Sequence, residues 1–152
     1  MASPFPLPPP MRRALDLARA AQAEGEVPVG AVVTKDGAII GEGQNRNRRD
    51  NDPTAHAEMV AMRAAAARLG DFRLTGCDLW VTLEPCAMCA GAISHARIAR
   101  LYYAAGDPKG GAIEQGPRLF TQPQCLHRPE VYGGLAEVDA SALLRDFFAA
   151  RR

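Results

Sequence analysis

A surplus of positive charge is missing: 18 Lys and Arg face 17 Asp and Glu, for a net charge of +1. A chain so balanced is no polycationic coat for a long phosphate backbone, since it has no excess cations with which to release counterions, although a local basic patch stays open. Long apolar runs are missing too. None approaches the ~20 residues of a membrane span, which excludes an inserted helix. The start lacks the basic residues and apolar stretch of a secretory signal, so a cytoplasmic, reducing setting is expected. In that setting the four cysteines serve a metal or catalysis more readily than disulfides. No internal repeat is present, and 152 residues suit one domain with its own core. Lysine is nearly absent, with only Lys35 and Lys109 among the cations. So uniform a preference for arginine reads as coding bias, not as phosphate recognition.

What is present reads as an ordinary soluble globule. Residues 1–10 hold Pro4, Pro6, Pro8, Pro9 and Pro10 and are expected to be a flexible lead-in, with a single domain over 11–152. Apolar positions at Met11, Ala14, Leu15, Ala18 and Ala21 predict a first helix, stopped by Gly25. Val27–Val33 and Ala38–Gly41 flank Asp36-Gly37, a strong hairpin signal. Asn45–Asp52 reads as a loop, and Pro53 and Thr54 as the opening of a second helix reaching Leu69. Cys77–Thr82 and Arg100–Ala104 read as strands either side of a short helix that begins near Cys86. Gly106–Gly134 is weakly patterned, with one short strand expected near Val131. Asp139 or Ser141 is expected to cap a last helix holding Leu143, Leu144, Phe147 and Phe148.

Two short motifs carry chemistry. His56-Ala57-Glu58 lies at a helix start, and Pro85-Cys86-Ala87-Met88-Cys89 lies at a strand-to-helix turn. Each alone is weak; together they are specific. Two thiolates and an imidazole give Zn²⁺ three ligands and leave the fourth corner for water, the arrangement of a catalytic site. The exposed N–H groups of a helix start favour the thiolate form. Because two thiolates offset the zinc charge, the bound water needs a carboxylate to take its proton, and Glu58 fits. Residues two apart on a helix point about 200° from one another, so His56 and Glu58 share a site only off the helix N-terminus.

His-x-Glu followed by Pro-Cys-x-x-Cys resembles the signature of the cytidine deaminase-like superfamily. Around it, Asp52–Glu58, Thr82–Ile93 and Asp107–Ala112 resemble the bacterial tRNA-specific adenosine deaminases, and the likeness runs from about Met11 to Arg152. The resemblance implies a three-layer α/β/α fold with a mixed sheet of about five strands, the two zinc-bearing helices on one face and the first and last helices on the other. It implies one Zn²⁺ per subunit held by His56, Cys86 and Cys89, with no organic cofactor, and Glu58 as catalytic proton shuttle. The reaction implied is attack at C6 of adenine, giving inosine at the wobble position of a tRNA anticodon stem-loop. Asn45 would read the flipped base, Asp107 would lie near the neighbouring sugar, and Val29 and Gly30 would wall the base pocket. A homodimer is implied as well.

The pattern departs from that family at Leu126-His127-Arg128, where an Asn usually precedes the His-Arg pair, which bears on how the anticodon loop is gripped. His127 is a candidate RNA contact. Phe147 and Phe148 are adjacent, so both cannot face inward; Phe148, with Arg151 and Arg152, is a candidate stacking edge for RNA. Cys77 reads as a core residue, and Cys125 has no assigned use. Arg46, Arg48 and Arg49 are offset by Asp50 and Asp52 and read as a solvated loop. Two alternatives remain: a deaminase of free bases or nucleosides, and a structural zinc module in which Cys77 or Cys125 closes the fourth corner.

Overall fold

The computed structural model describes residues 6–151. Residues 1–5 of the proline-rich lead-in and Arg152 lie outside the described residues. The first helix, α1 (Pro9–Ala23), starts one residue before Pro10, the expected first position, and takes Pro9 and Pro10 out of the lead-in into its first turn, where a missing N–H costs nothing. The hairpin of β1 (Gly30–Lys35) and β2 (Ala38–Gln44) follows. Its turn residues Asp36 and Gly37 both have positive φ, 51° and 81°, as a tight two-residue hairpin turn demands. Val27–Val29 stay outside β1: Pro28 has no N–H to donate, and the Val29 N–H turns back to the Val27 carbonyl at 2.8 Å.

A short helix, α2 (Asn47–Asp50), sits inside the stretch expected as loop. The next helix, α3 (Ala57–Leu69), begins at Ala57 with His56 as its N-cap, not at Pro53. Asp52 accepts the N–H and hydroxyl of Thr54, a local turn that competes with helix and holds off its start. β3 (Cys77–Leu83) leads into α4 (Ala87–Ala96), capped by Cys86, and β4 (Arg100–Ala105) follows. The weakly patterned stretch contains one 3-10 turn at Leu119–Thr121 and β5 (Glu130–Tyr132), the short strand expected near Val131. The last helix, α5 (Glu137–Ala149), is capped by neither Asp139 nor Ser141; Ala136 precedes it at φ 64°.

The sheet has five strands in the order β2-β1-β3-β4-β5. β1 pairs antiparallel with β2 and β3, while β3/β4 and β4/β5 are parallel. Alternation sorts the side chains. Val33, Leu79, Val81 and Leu101 face α3 and α4 and form the larger core with Ala61, Met62, Ala90 and Ile93. Trp80, Tyr102 and Ala104 face the other way, toward Met11 and Leu15 of α1 and Ala140 of α5. The molecule is therefore the expected three-layer α/β/α sandwich, with the helices that start at His56 and Cys86 on the same face.

Candidate active site

Both motif helices begin at the same place. His56 and Cys86 are N-caps with extended backbones (ψ 154° and 177°), and neither caps its helix with its side chain, so both side chains are free to turn off the helix ends. Cys89, three residues into its helix start, projects to the same side as Cys86. The result is a tight group: His56 Nδ1 lies 3.5 Å from Cys86 Sγ and 3.5 Å from Cys89 Sγ. A tetrahedral zinc, with Zn–S of about 2.3 Å and Zn–N of about 2.0–2.1 Å, separates sulfur from nitrogen by about 3.5 Å. The three ligand atoms thus fit the metal. Among the described residues this is the one cluster of three or more such groups able to hold an ion.

The electrostatics suit a cation. The Cys89 thiol and His56 hold Cys86 down, to about 4, as a thiolate. Sharing that proton with Cys86, together with burial, pushes Cys89 up. His56 is raised by its bond to Cys86. A metal coordinated by Cys89 deprotonates it outright, so the shared proton is the one a zinc ion displaces. Glu58, 4% exposed, lies in the first turn of α3 beside the group. Burial lifts its carboxyl from 4.5 to about 7, which suits a group that must both take and give a proton near neutral pH.

Asn45 is buried, and its Oδ1 accepts the Ala57 N–H at 2.8 Å. It supplies the helix cap that His56 does not, through its amide oxygen and not its N–H₂. Val29 is buried next to it and accepts the Asn45 N–H at 3.2 Å. Gly30, expected with Val29 to wall the base pocket, meets α1 on its Cα side. A Cβ there would lie 2.0 Å from the Ala14 carbonyl, so glycine is required by the approach of α1, and only the backbone of Gly30 is available to the site. Asp107 starts the loop after β4, where its Oδ1 accepts the N–H groups of Lys109 and Gly110. That loop borders the cysteine turn, since the Ala112 N–H donates to the Pro85 carbonyl at 2.9 Å.

The two candidate RNA contacts, His127 and Phe148, lie outside the metal group. His127 is half-buried near the C-terminal end of α4, far along that helix from Cys86, with Nε2 2.6 Å from the Ile98 carbonyl. Phe148 lies exposed on α5, edge-on to buried Phe147 at 5.2 Å. Arg151 stacks over Phe147 at 3.6 Å and reaches the Gly25 carbonyl, which ties this helix end to the segment before Val29. Cys77 is buried in the core, and Cys125 sits beside Ser94 and the His127 carbonyl, so neither closes a fourth corner. Sequence reasoning missed two buried carboxylates: Glu26, which accepts the N–H groups of Arg48 and Arg49 in α2, and Glu84, which holds the loop after β4 through its backbone N–H groups. Their spacing from those segments carries no motif; an acidic residue beside Pro85 was the one visible signal.

Residues 9–105 match the cytidine and deoxycytidylate deaminase zinc-binding region. The chain belongs to this deaminase family. The deaminase is 56% identical over 142 residues to the tRNA-specific adenosine deaminase of Agrobacterium fabrum, covering 93% of each chain. It is 48% identical to that of Haemophilus influenzae over 143 residues, 93% of this chain and 83% of the other. A solved tRNA:A34 deaminase, one of those that edit A to I at the wobble position, superposes with a TM-score of 0.88 at 56% identity, over 89% of this chain and 98% of that one. The guanine deaminase from Nitrosomonas europaea superposes with a TM-score of 0.82 at 28% identity, over 98% and 86% of the two chains. The chain is therefore a hydrolytic enzyme with zinc as its cofactor, and the structural-module alternative falls.

Proposed function

We propose that this deaminase, a single domain over residues 11–152, converts adenosine to inosine at the wobble position of a tRNA anticodon, with His56, Cys86 and Cys89 holding one zinc. The observation that carries the reading is the tetrahedral spacing of those three ligand atoms beside a buried carboxyl, in a chain 56% identical to a tRNA-specific adenosine deaminase along most of its length. Bound zinc supplies a water of lowered pKa at the open corner of the site.

The protein's own groups do the rest. Glu58 takes the proton of the attacking water and returns it to the base, and the C6–N bond breaks with release of ammonia, so that adenosine and water give inosine and ammonia. Its burial keeps bulk water from competing for that proton. The Asn45 amide, fixed by its bond to Ala57, donates to the flipped base while Val29 closes the pocket wall. Asp107 meets the adjoining nucleotide, and exposed Phe148 offers a stacking face for the loop. With its inward bond to Ile98, His127 serves RNA through the backbone it holds in place. On this reading the enzyme acts in the cytoplasm, with its tRNA substrate.

A second copy of the chain covers the outer face of α3 and α4. Exposed Phe72 divides two apolar hollows there, of about 460 and 350 Å³, and Leu126 stands at the rim of the larger. The functional test compares inosine formation in an anticodon stem-loop with ammonia release from free guanine, cytosine and adenosine. Turnover of the stem-loop alone is expected; robust turnover of a free base with none on RNA would assign the enzyme to the small-molecule deaminases.

A further inference from the structure

Several buried polar side chains outside the proton transfer share one occupation. Glu26, Asn45, Thr82 and Glu84 each accept backbone N–H groups from segments bordering the metal-ligating residues. Glu84 accepts the most. Its side chain is 2% exposed, and among the described residues it has no ion-pair partner. Oε1 takes the N–H of Asp107 at 3.0 Å, and Oε2 takes those of Ile113, Glu114 and Gln115 at 3.0, 2.9 and 3.0 Å. Successive N–H groups converging on one oxygen form an anion-holding nest, filled here by the chain's own carboxylate. Those bonds replace the hydration that the buried charge has lost.

The segment so held, residues 107–115, is fixed from other sides as well. Ala112 is bonded to Pro85, and the Tyr103 hydroxyl donates to the Glu114 carboxylate. Gly111 packs so tightly that a Cβ would fall 2.6 Å from both Glu84 Cδ and the Asp107 carbonyl. Glu84 stands two residues before Cys86, so each bond sets the position of this loop relative to the cysteine turn. The cysteines themselves are anchored by β3 and α4, independently of the carboxylate.

We propose that Glu84 is a positioning residue for the substrate: it seats the 107–115 loop, and Asp107 with it, at the mouth of the metal site, and governs how RNA is held, not how the C–N bond breaks. The inference rests on the reading of the site as a tRNA adenosine deaminase.

The test is Glu84→Gln, which keeps the shape but turns an amide donor toward N–H donors. Steady-state kinetics on an anticodon stem-loop are measured together with zinc content. KM is expected to rise about tenfold or more while kcat stays within about threefold, with zinc content unchanged. Unchanged KM with reduced kcat, or loss of zinc, overturns the proposal. Gly111→Ala displaces the same loop with Glu84 intact and is expected to raise KM alike; it carries the test should Glu84→Gln not fold, and an unchanged KM in folded Gly111→Ala also overturns the proposal. A wild-type enzyme inert on the stem-loop refutes the tRNA reading instead, which keeps the two failures apart.

Discussion

Glu58 is a buried carboxyl next to a metal group, and two consequences separate its roles. As a proton carrier and not a ligand, it is expected to be essential for turnover and dispensable for zinc. Glu58→Gln should lower kcat by about 10²–10⁴-fold with zinc content unchanged, read by inosine formation and by metal analysis of the same sample. Retained activity would remove Glu58 from the proton transfer. The second consequence concerns stability. Burial raises the carboxyl from 4.5 to about 7, so the folded chain binds this proton more tightly than the unfolded chain. Its contribution to stability is fully present below about 4.5 and is lost as pH rises through about 7. In protein treated with a chelator, Glu58→Gln should gain melting temperature over wild type as pH is raised from about 5 to about 8, and a gap independent of pH would show that Glu58 is not desolvated. At this scale His56, Glu58, Cys86 and Cys89 were legible, because the chemistry of a metal site demands particular side chains at short spacings. Glu84 and Glu26 were not, because their partners are backbone N–H groups, 23 to 31 residues away for Glu84, and every residue but proline offers such a group.

The packing of β2 on α3 shows what strand and helix patterns conceal. Gly41 and Gly43 alternate onto the face that meets Ala57, Ala61 and Ala65, and a Cβ at either would lie 2.4 Å from a helix carbonyl, that of Ala61 or of Ala57 respectively. The helix therefore lies directly on the strand backbone. Glycine is a poor strand former, which is why the sequence reads β2 as ending at Gly41 although it continues to Gln44. The start of α3 was misplaced for a related reason, since Pro53 and Thr54 are helix openers but an Asx turn uses them first. The hairpin, by contrast, was legible because Asp36-Gly37 is demanded by its turn geometry. The two glycines sit differently with respect to the site. Either alanine substitution should destabilise by about 1–3 kcal/mol through overpacking, but Gly43 faces the turn that carries Glu58, and Gly41 faces the next one. Gly43→Ala is expected to lower kcat as well as melting temperature, whereas Gly41→Ala lowers melting temperature alone. Equal kinetic effects from both would mean that α3 moves as a rigid rod.

For the whole molecule, the placement of α3 and α4 on one face has a cost: among the described residues no further layer covers their far sides. The helices beyond the ligand turns leave Met59, Met62, Ala92 and Ala96 lining a shallow hollow, with Phe72 68% exposed at its edge and Leu126 86% exposed at the rim of the neighbouring one. A ridge between two hollows of similar size can be answered by an identical ridge and hollow under a two-fold axis, which is the isologous arrangement of most homodimers. Arg73 stacks on the Phe72 ring at 4.6 Å, which holds the aromatic in place as an anchor. A buried aromatic at the centre of such an interface is commonly worth about 2 kcal/mol or more, roughly a 30-fold change in dissociation constant per anchor, and a two-fold interface uses each anchor twice. Phe72→Glu, which also places like charges across the axis, is therefore expected to convert a dimer to a monomer at micromolar concentration in sedimentation velocity. Its zinc content should be unchanged, because none of the ligand atoms lies on that face. A wild-type chain that sediments as a monomer at all concentrations would refute the dimer, and a Phe72→Glu chain that still dimerises would place the contact between copies on another surface.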